Sequence, residues 1–316
     1  MSGGIQQFVT TQPAPGIVGD FCDANPRYSV DAGPGGLVAG ISGLVIGRFA
    51  WGSYYGVDGD GAPAFVNNTG SGPVLGFVGR AQQALITTYL SSAGVTIPAG
   101  FQTTVFSSGG FWVVNSGTTQ ALPGQKVYAK FADGTATAAA SGSAATAVFT
   151  AAVAASTLSV TGSIAGNVLT VAAIGSGTVV PGATLSGTNV ATGTKVVAQL
   201  SGTTGGIGTY AVSIPEQTVV STTISGTYGT MTVSAVSSGA IGVGDALTSG
   251  TGVVVGTVVT ALGTGTGGTG TYIVDNNTVV ASAAITAATS VETSWYVRSS
   301  ALAGELMKIS NLPGIG

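Results

Sequence analysis

Few side chains in this sequence could carry out chemistry. The 316 residues include no His, and Cys22 is the only cysteine. Without the commonest general base and metal ligand, Ser-His-Asp and Cys-His nucleophilic sites are excluded. A zinc site would need carboxylates alone, and none of the 11 acidic residues stands out as half of a catalytic pair. We therefore expect no enzyme activity, no catalytic residue, no metal site and no cofactor.

Several short motifs match ligand-binding patterns. Gly263–Gly268 has the glycine spacing of a dinucleotide-binding loop, but no helix is predicted after it. Asp58–Gly61 resembles the start of a calcium loop and lacks the later ligands. Glycosylation sequons occur at Asn67–Thr69 and Asn276–Thr278, as expected by chance in a Thr-rich chain. We interpret the first two motifs as turns and the sequons as chance matches.

The tryptophans and the cysteine are also interpreted as structural. Trp51, Trp112 and Trp295 could stack against a ligand, but each lies in a strand-like run, which favours a place in the core. Cys22 cannot form an intrachain disulfide. It is interpreted as a partly buried small residue in a reducing compartment.

Composition predicts a folded protein that associates with other proteins. Only 6% of residues are charged and 44% are hydrophobic, whereas disordered chains need high charge and low hydrophobicity. The 53 Gly residues raise the entropy lost on folding, and binding to partners can offset that loss. A surface with few charges also tends to associate. Oligomerisation or docking onto a protein lattice is therefore expected.

Nucleic acid and membranes are not expected as partners. The eight Lys and Arg residues are scattered and the net charge is −3, whereas phosphate binding relies on clustered cations. No secretory signal is visible at the start of the sequence. The most apolar run, Gly35–Gly47, is too short and too rich in Gly to span a bilayer as a helix.

Aromatic residues divide the chain into two kinds of sequence. Between Ala132 and Ser294 the only aromatic residues are Phe149, Tyr210, Tyr228 and Tyr272. The two ends carry all the others, together with most of the charges. We predict one discontinuous domain, residues 1–153 plus 286–316, interrupted by an insertion.

The insertion contains an internal repeat with a spacing of about 62 residues. The matching pairs are Leu169–Val171 with Met231–Val233, Gly182 with Gly244, Leu185 with Leu247, Gly193–Thr194 with Gly256–Thr257, Gly205–Tyr210 with Gly267–Tyr272, and Thr218–Val220 with Thr278–Val280. We predict two tandem β-modules, residues 154–223 and 224–285. Each is too small to have much core of its own, so we expect the two to pack together or on a neighbouring chain.

Short runs of β-branched and aromatic residues between Gly clusters predict strands throughout. The predicted strands are Gly43–Trp51, Phe101–Ser107, Gly110–Asn115, Lys126–Phe131, Thr194–Leu200, Thr257–Leu262 and Thr293–Arg298, with turns at Thr203–Gly208 and Gly263–Gly270. Ala81–Leu90 fits a helical turn nearly as well as a strand. The predicted fold is all-β: a discontinuous barrel-like or sandwich-like domain with an inserted tandem pair of small modules.

The two ends of the chain contain several short Gly-rich motifs, which are Pro15–Asp20, Gly43–Ala50, Gly109–Val113, Gly124–Ala129 and Gly304–Ser310. Through these motifs, roughly residues 1–150 and 290–316 resemble the cement or decoration proteins of tailed bacteriophages. This resemblance implies a β-rich virion protein, assembled in the bacterial cytoplasm, that sits on the outer surface of the capsid. Its partner would then be the major capsid protein, whose neighbouring subunits it fastens together.

Two questions stay open in the sequence. The inserted Gly, Thr and Val modules resemble parts of phage tails and fibres, so a tail or host-surface adhesive protein is the alternative. A homo-oligomer is expected, and a trimer is favoured because quasi-threefold lattice positions suit a clamp.

Overall fold

The computed structural model describes residues 16–32, 36–57, 63–80 and 94–312. Every regular element in these ranges is a β-strand, so the all-β prediction is confirmed. No helix in the described residues is long and apolar enough to cross a membrane. The ambiguous segment Ala81–Leu90 and the motif Asp58–Gly61 lie outside the described residues.

Twenty-four strands follow one another in the described residues. The first twelve are β1 (Tyr28–Ser29), β2 (Leu37–Ala39), β3 (Leu44–Val45), β4 (Phe49–Val57), β5 (Pro63–Asn67), β6 (Gly76–Val78), β7 (Thr96–Ile97), β8 (Gln102–Thr103), β9 (Val105–Ser108), β10 (Gly110–Val114), β11 (Lys126–Lys130) and β12 (Ala136–Ala139). The other twelve are β13 (Thr146–Gly166), β14 (Val168–Ser176), β15 (Thr184–Gly187), β16 (Val196–Gly202), β17 (Gly208–Val212), β18 (Gln217–Ser238), β19 (Ala246–Ser249), β20 (Val259–Leu262), β21 (Gly270–Val274), β22 (Val280–Ala288), β23 (Ser290–Val297) and β24 (Leu306–Ser310).

A seven-stranded sheet, a five-stranded sheet and a two-stranded sheet of β3 and β7 form the part of the molecule that we call the outer domain. The seven-stranded order is β1-β9-β6-β4-β5-β2-β8, and the five-stranded order is β10-β24-β23-β11-β12. Aromatic side chains from both sheets meet in one core, where the ring centroids of Phe49 and Trp295 are 5.3 Å apart and those of Phe77 and Phe111 are 4.7 Å apart. Each of these rings buries a large apolar area, so this core stabilises the packing of the two sheets on each other.

Both ends of the chain build the five-stranded sheet. The C-terminal strands β24 and β23 lie between β10 and β11, with Trp112 opposite Lys308 and Tyr128 opposite Glu292. The insertion leaves this sheet after β12 and returns through β22 directly into β23, so its first and last strands are neighbours, with Thr146 opposite Ala288.

Two long strands run through the whole insertion. β13 has 21 residues and β18 has 22, and they pair antiparallel from Val148↔Ser238 to Gly166↔Gln217. At about 3.3 Å per residue, each would span roughly 70 Å if fully extended.

Each long strand contributes to two barrels. In barrel 1 the ring of paired strands runs from the second half of β13 through β14, β17, β16 and β15 to the first half of β18. A bridge between Thr184 and Lys195 joins β15 to β16 and closes the ring. In barrel 2 the ring runs from the first half of β13 through β22, β19, β20 and β21 to the second half of β18, closed by a bridge between Ala246 and Val258.

The repeat in the sequence corresponds to the two barrels, with one addition. Leu169 and Met231 are buried at equivalent places, as are Leu185 and Leu247. Phe149, which precedes both repeats in the chain, lies in the core of barrel 2. The boundaries at residues 153 and 286 stay predictions, but barrel 2 takes a strand from before the first of them.

Some predicted elements differ in detail. Gly43–Trp51 was predicted as one strand, which is wrong: β3 and β4 are separated at Gly47, whose φ of +80° no straight strand accommodates.

The match of Thr218–Val220 with Thr278–Val280 is out of register by one residue. Val219 and Val280 are the buried pair, and a shift of one residue exchanges the two faces of a strand.

Candidate functional site

No catalytic constellation occurs in the part of the chain that the structure describes. No group of three acidic or Cys side chains there could hold a metal ion. The Gly263–Gly268 motif joins β20 to β21, and a strand follows it where a dinucleotide site needs a helix. Asn276 accepts a hydrogen bond from the backbone N of Thr278 at 2.9 Å, as in a turn.

The side chains of Asn68, the middle residue of the Asn67–Thr69 sequon, and of Cys22 make contacts that belong to the fold. The Asn68 side chain accepts a hydrogen bond from the Val45 backbone N at 2.6 Å and donates one to Phe49 O at 3.0 Å, which ties β3 to β4. Cys22 is partly buried, as predicted. Desolvation and the neighbouring Asp23 raise the pKa of its thiol to about 12, so the reactive thiolate is scarce at neutral pH.

The three tryptophans do not share one environment. Trp51 and Trp295 are buried, as predicted. Trp112 is only half-buried, so the prediction of a core position is wrong for it. The reason is alternation along β10, where Phe111 and Val113 point into the core and Trp112 points outward.

Two similar turns lie side by side at one end of the five-stranded sheet. They are Ala121–Gln125 and Ala301–Glu305, and Ala121 N donates to Ala301 O at 2.8 Å. In each turn the leucine N donates to the side chain three residues later, at 2.9 Å for Leu122 and 2.8 Å for Leu302. Both leucines are exposed, by 47% and 56% respectively.

Cations and aromatic rings cover the outward face of the same sheet. Lys126 Nζ lies 4.0 Å from the centroid of the Tyr296 ring, and Arg298 Cζ lies 5.9 Å from it. Lys308 Nζ is 5.1 Å from the centroid of the Trp112 ring. We call these five residues the cationic face. Half-exposed cation–π contacts of this kind contribute about 0.5–1 kcal/mol each.

One carboxylate, Glu292, borders the cationic face. It forms an ion pair with Lys126 at 3.6 Å and accepts hydrogen bonds from Tyr128 Oη at 2.8 Å and Gly142 N at 2.7 Å. The Gly142 N–H and the Tyr128 hydroxyl lower the pKa of Glu292, whereas burial raises the pKa of Tyr128. Glu292 is therefore ionised at neutral pH and is held in place by these contacts.

A cleft of about 960 Å³ lies where the outer domain meets both barrels. Lys195 of barrel 1 and Asp275 of barrel 2 form an ion pair at 2.9 Å across it, and Thr260 Oγ1 donates to Pro181 O at 2.7 Å. These bonds join the two barrels to each other. The cleft is thus a junction between parts of one chain, and its polar groups largely bind one another.

The sequence carried a signal for the paired turns that composition alone does not show. Ala121-Leu-Pro-Gly-Gln125 and Ala301-Leu-Ala-Gly-Glu305 share their Ala, Leu and Gly positions. The cationic face has no such signal, because its residues come from four strands, and β10 and β11 are far from β23 and β24 in the chain.

A sequence model of the family described as XM1 gp53 minor capsid protein matches residues 5–173, just over half of the chain. The match spans the N-terminal part of the outer domain, all of β13 and part of β14. No curated protein matches the chain.

Proposed function

The chain belongs to the XM1 gp53 minor capsid protein family, and from this premise we propose that it decorates the outer surface of a tailed-phage head. The family match directly supports a role as a structural capsid protein of the virion. Our proposal adds the role of a cement, which binds the major capsid protein and reinforces contacts between its subunits.

The observation that carries this proposal is the extent of the family match. Residues 5–173 contain most of the outer domain, whereas most of both barrels lies beyond the match. We therefore assign capsid binding to the discontinuous domain, residues 1–153 plus 286–316. Its last residues lie outside the match but supply β23 and β24 to the same five-stranded sheet. The inserted modules, residues 154–223 and 224–285, project from it, with the first half of β13 completing barrel 2.

The proposed mechanism needs no reaction. A stable protein–protein contact buries roughly 1,600 Å² in total, and a weakly charged β surface supplies this area while desolvating few ions. The insertion is attached to the outer domain through two neighbouring strands, β13 and β22, which are paired with each other. Two paired strands make a stiff connection. A trimer on quasi-threefold positions would fasten three capsid subunits at once.

Heads that lack this chain test the proposal. We expect them to assemble and then to break at a lower temperature than complete heads, and we expect added protein to restore their stability. The restored stability should reach a plateau once the added protein is bound at a fixed ratio to the major capsid protein. Equal stability of the two kinds of head, with no binding of added protein, would contradict a cement role and favour a tail or fibre component.

A further inference from the structure

Two cations face each other across neighbouring strands at the edge of the cationic face. Arg298 follows β23, and its backbone N donates to Lys308 O at 2.8 Å. The register Val297↔Ile309 places Arg298 opposite Lys308 one step further along. Side chains at such positions have Cβ atoms about 5 Å apart, and like charges there repel each other.

No acidic side chain in the described part of the chain relieves this repulsion. The ion pairs found there join Arg80 to Asp20, Lys126 to Glu292 and Lys195 to Asp275. Lys308 lies over the Trp112 ring, and the Arg298 guanidinium donates to the Leu312 carbonyl, so neither positive charge has a carboxylate partner among the described residues. In a chain with only eight Lys and Arg residues, such a pair is an unusual concentration of charge.

The turns next to the strands of the two cations carry exposed apolar side chains. Gly124 N donates to Val297 O at 3.0 Å, which places the turn of Leu122 next to the end of β23. Leu302 belongs to the paired turn, and Tyr296, which is 36% exposed, precedes Val297. Exposed leucines and an aromatic ring with cations around them have the composition of a protein-binding surface.

We propose that this surface, made of Leu122, Tyr296, Arg298, Leu302 and Lys308, docks onto an acidic face of the major capsid protein. The inference rests on the proposed cement function and specifies its contact. Carboxylates of the capsid subunit pair with Arg298 and Lys308, while the two leucines and Tyr296 bury apolar area beside them. Binding thereby gives both cations the carboxylate partners that the described part of the chain does not supply.

Nucleic acid fits this surface less well than an acidic protein does. DNA-binding proteins neutralise many phosphates, typically about six to ten, with clustered cations. Here two cations have no ion pair among the described residues, Lys126 is paired with Glu292, and exposed leucines occupy the neighbouring turns. An acidic protein face that also carries apolar side chains would complement both the two cations and the exposed leucines.

The test measures binding of the full-length protein to purified heads that lack this chain. The variant Arg298→Gln/Lys308→Gln removes both charges. Its matched control is Val220→Glu/Val279→Glu, which changes the net charge by the same amount at exposed positions of the two barrels. The swap Arg298→Lys/Lys308→Arg keeps both charges at the surface.

We expect the double Gln variant to bind heads at least tenfold more weakly than wild type and to keep the β-sheet circular dichroism spectrum of wild type. The control and the swap bind like wild type, and salt weakens wild type more than the double Gln variant. Equal binding by wild type and the double Gln variant overturns the inference and leaves the cement proposal standing. No binding of wild type overturns both. If the substitutions instead weaken binding to duplex DNA and leave head binding unchanged, the surface serves nucleic acid and the inference is wrong.

Discussion

Tyr210 and Tyr272 occupy equivalent positions in the two barrels and make the same hydrogen bond. Each hydroxyl donates to a glycine carbonyl four residues earlier, Tyr210 to Gly206 at 2.6 Å and Tyr272 to Gly268 at 2.7 Å. Both rings are buried. The two copies have therefore kept the geometry that fixes the turn between the last two short strands of each barrel.

The two tyrosines differ in one respect, which gives a first prediction. Tyr272 Oη also accepts a hydrogen bond from Gly267 N at 2.9 Å. Tyr210→Phe should lower the free energy of unfolding by about 0.5–1.5 kcal/mol. Tyr272→Phe should lower it more, because it also leaves the Gly267 N–H without its partner. Urea denaturation of both variants measures the difference, and a larger loss for Tyr210→Phe would contradict the hydrogen-bond assignment.

A second prediction concerns the buried carboxyl of Asp245, where barrel 2 meets the outer domain. Burial raises its pKa to about 7, although the Gly242 N–H, which donates to Oδ2 at 2.7 Å, and the charge of Lys130 lower it. A raised pKa means that the folded protein prefers the protonated form. The contribution of this group to stability is complete below the unfolded pKa of about 4 and is lost as the pH rises through 7.

Asp245→Asn should therefore stabilise the protein at pH 8, by roughly 2–4 kcal/mol, and have little effect at pH 4. The amide oxygen can still accept from Gly242 N. Melting temperatures of wild type and variant between pH 4 and 8 test this. Parallel curves over that range would mean that Asp245 does not titrate in the folded protein as described.

A third prediction concerns the contact of barrel 2 with the outer domain. Gly244 has a φ of +93°, and a Cβ there would lie 2.1 Å from Gly70 O and 2.9 Å from Phe131 Cβ. Gly193, in barrel 1, has a φ of +84° with nothing within 4 Å of a Cβ, so it is the matched control. Gly193→Ala should cost about 1 kcal/mol through backbone conformation alone.

Gly244→Ala should cost clearly more than Gly193→Ala, because the backbone of the outer domain must also move. Calorimetry should show barrel 2 separating from the outer domain at a lower temperature. Equal effects of the two substitutions would contradict the close contact at Gly70.

A fourth prediction tests whether β13 completes barrel 2. Phe149 lies in the core of barrel 2, although it precedes both repeats. Phe149→Ala should cost about 3–5 kcal/mol, whereas the partly exposed Phe101 gives a control of the same chemistry with a smaller effect. Hydrogen exchange should then accelerate in β22 and the second half of β18. Loss of protection confined to barrel 1 would contradict the shared strand.

The sequence was sufficient for the fold class and the repeat, because both depend on local signals. Strand-forming residues alternate with Gly turns, and the turns at Thr203–Gly208 and Gly263–Gly270 lie where they were predicted. The shared strand was not predicted, and it is visible in the burial pattern of β13 in the structure. Its buried positions are odd from Ala147 to Val153 and even from Leu158 to Ile164. This change of phase shows that one strand serves two cores.

The cationic face and the surface proposed for docking could not be read from the sequence. Arg298 and Lys308 are ten residues apart in the chain, and their opposition depends on the register of β23 and β24. The half-exposed position of Trp112 likewise depends on which face of β10 meets the core. Pairing across a sheet is a long-range property, so residue types alone did not reveal these neighbours.

The most direct test of the cement proposal is the copy number of this chain in purified virions separated into heads and tails. Quantitative mass spectrometry would compare it with the major capsid protein in each fraction. We predict that the chain stays with the heads, at a fixed ratio and in hundreds of copies. A handful of copies with the tails would contradict the account and make the barrels parts of a fibre or adhesin.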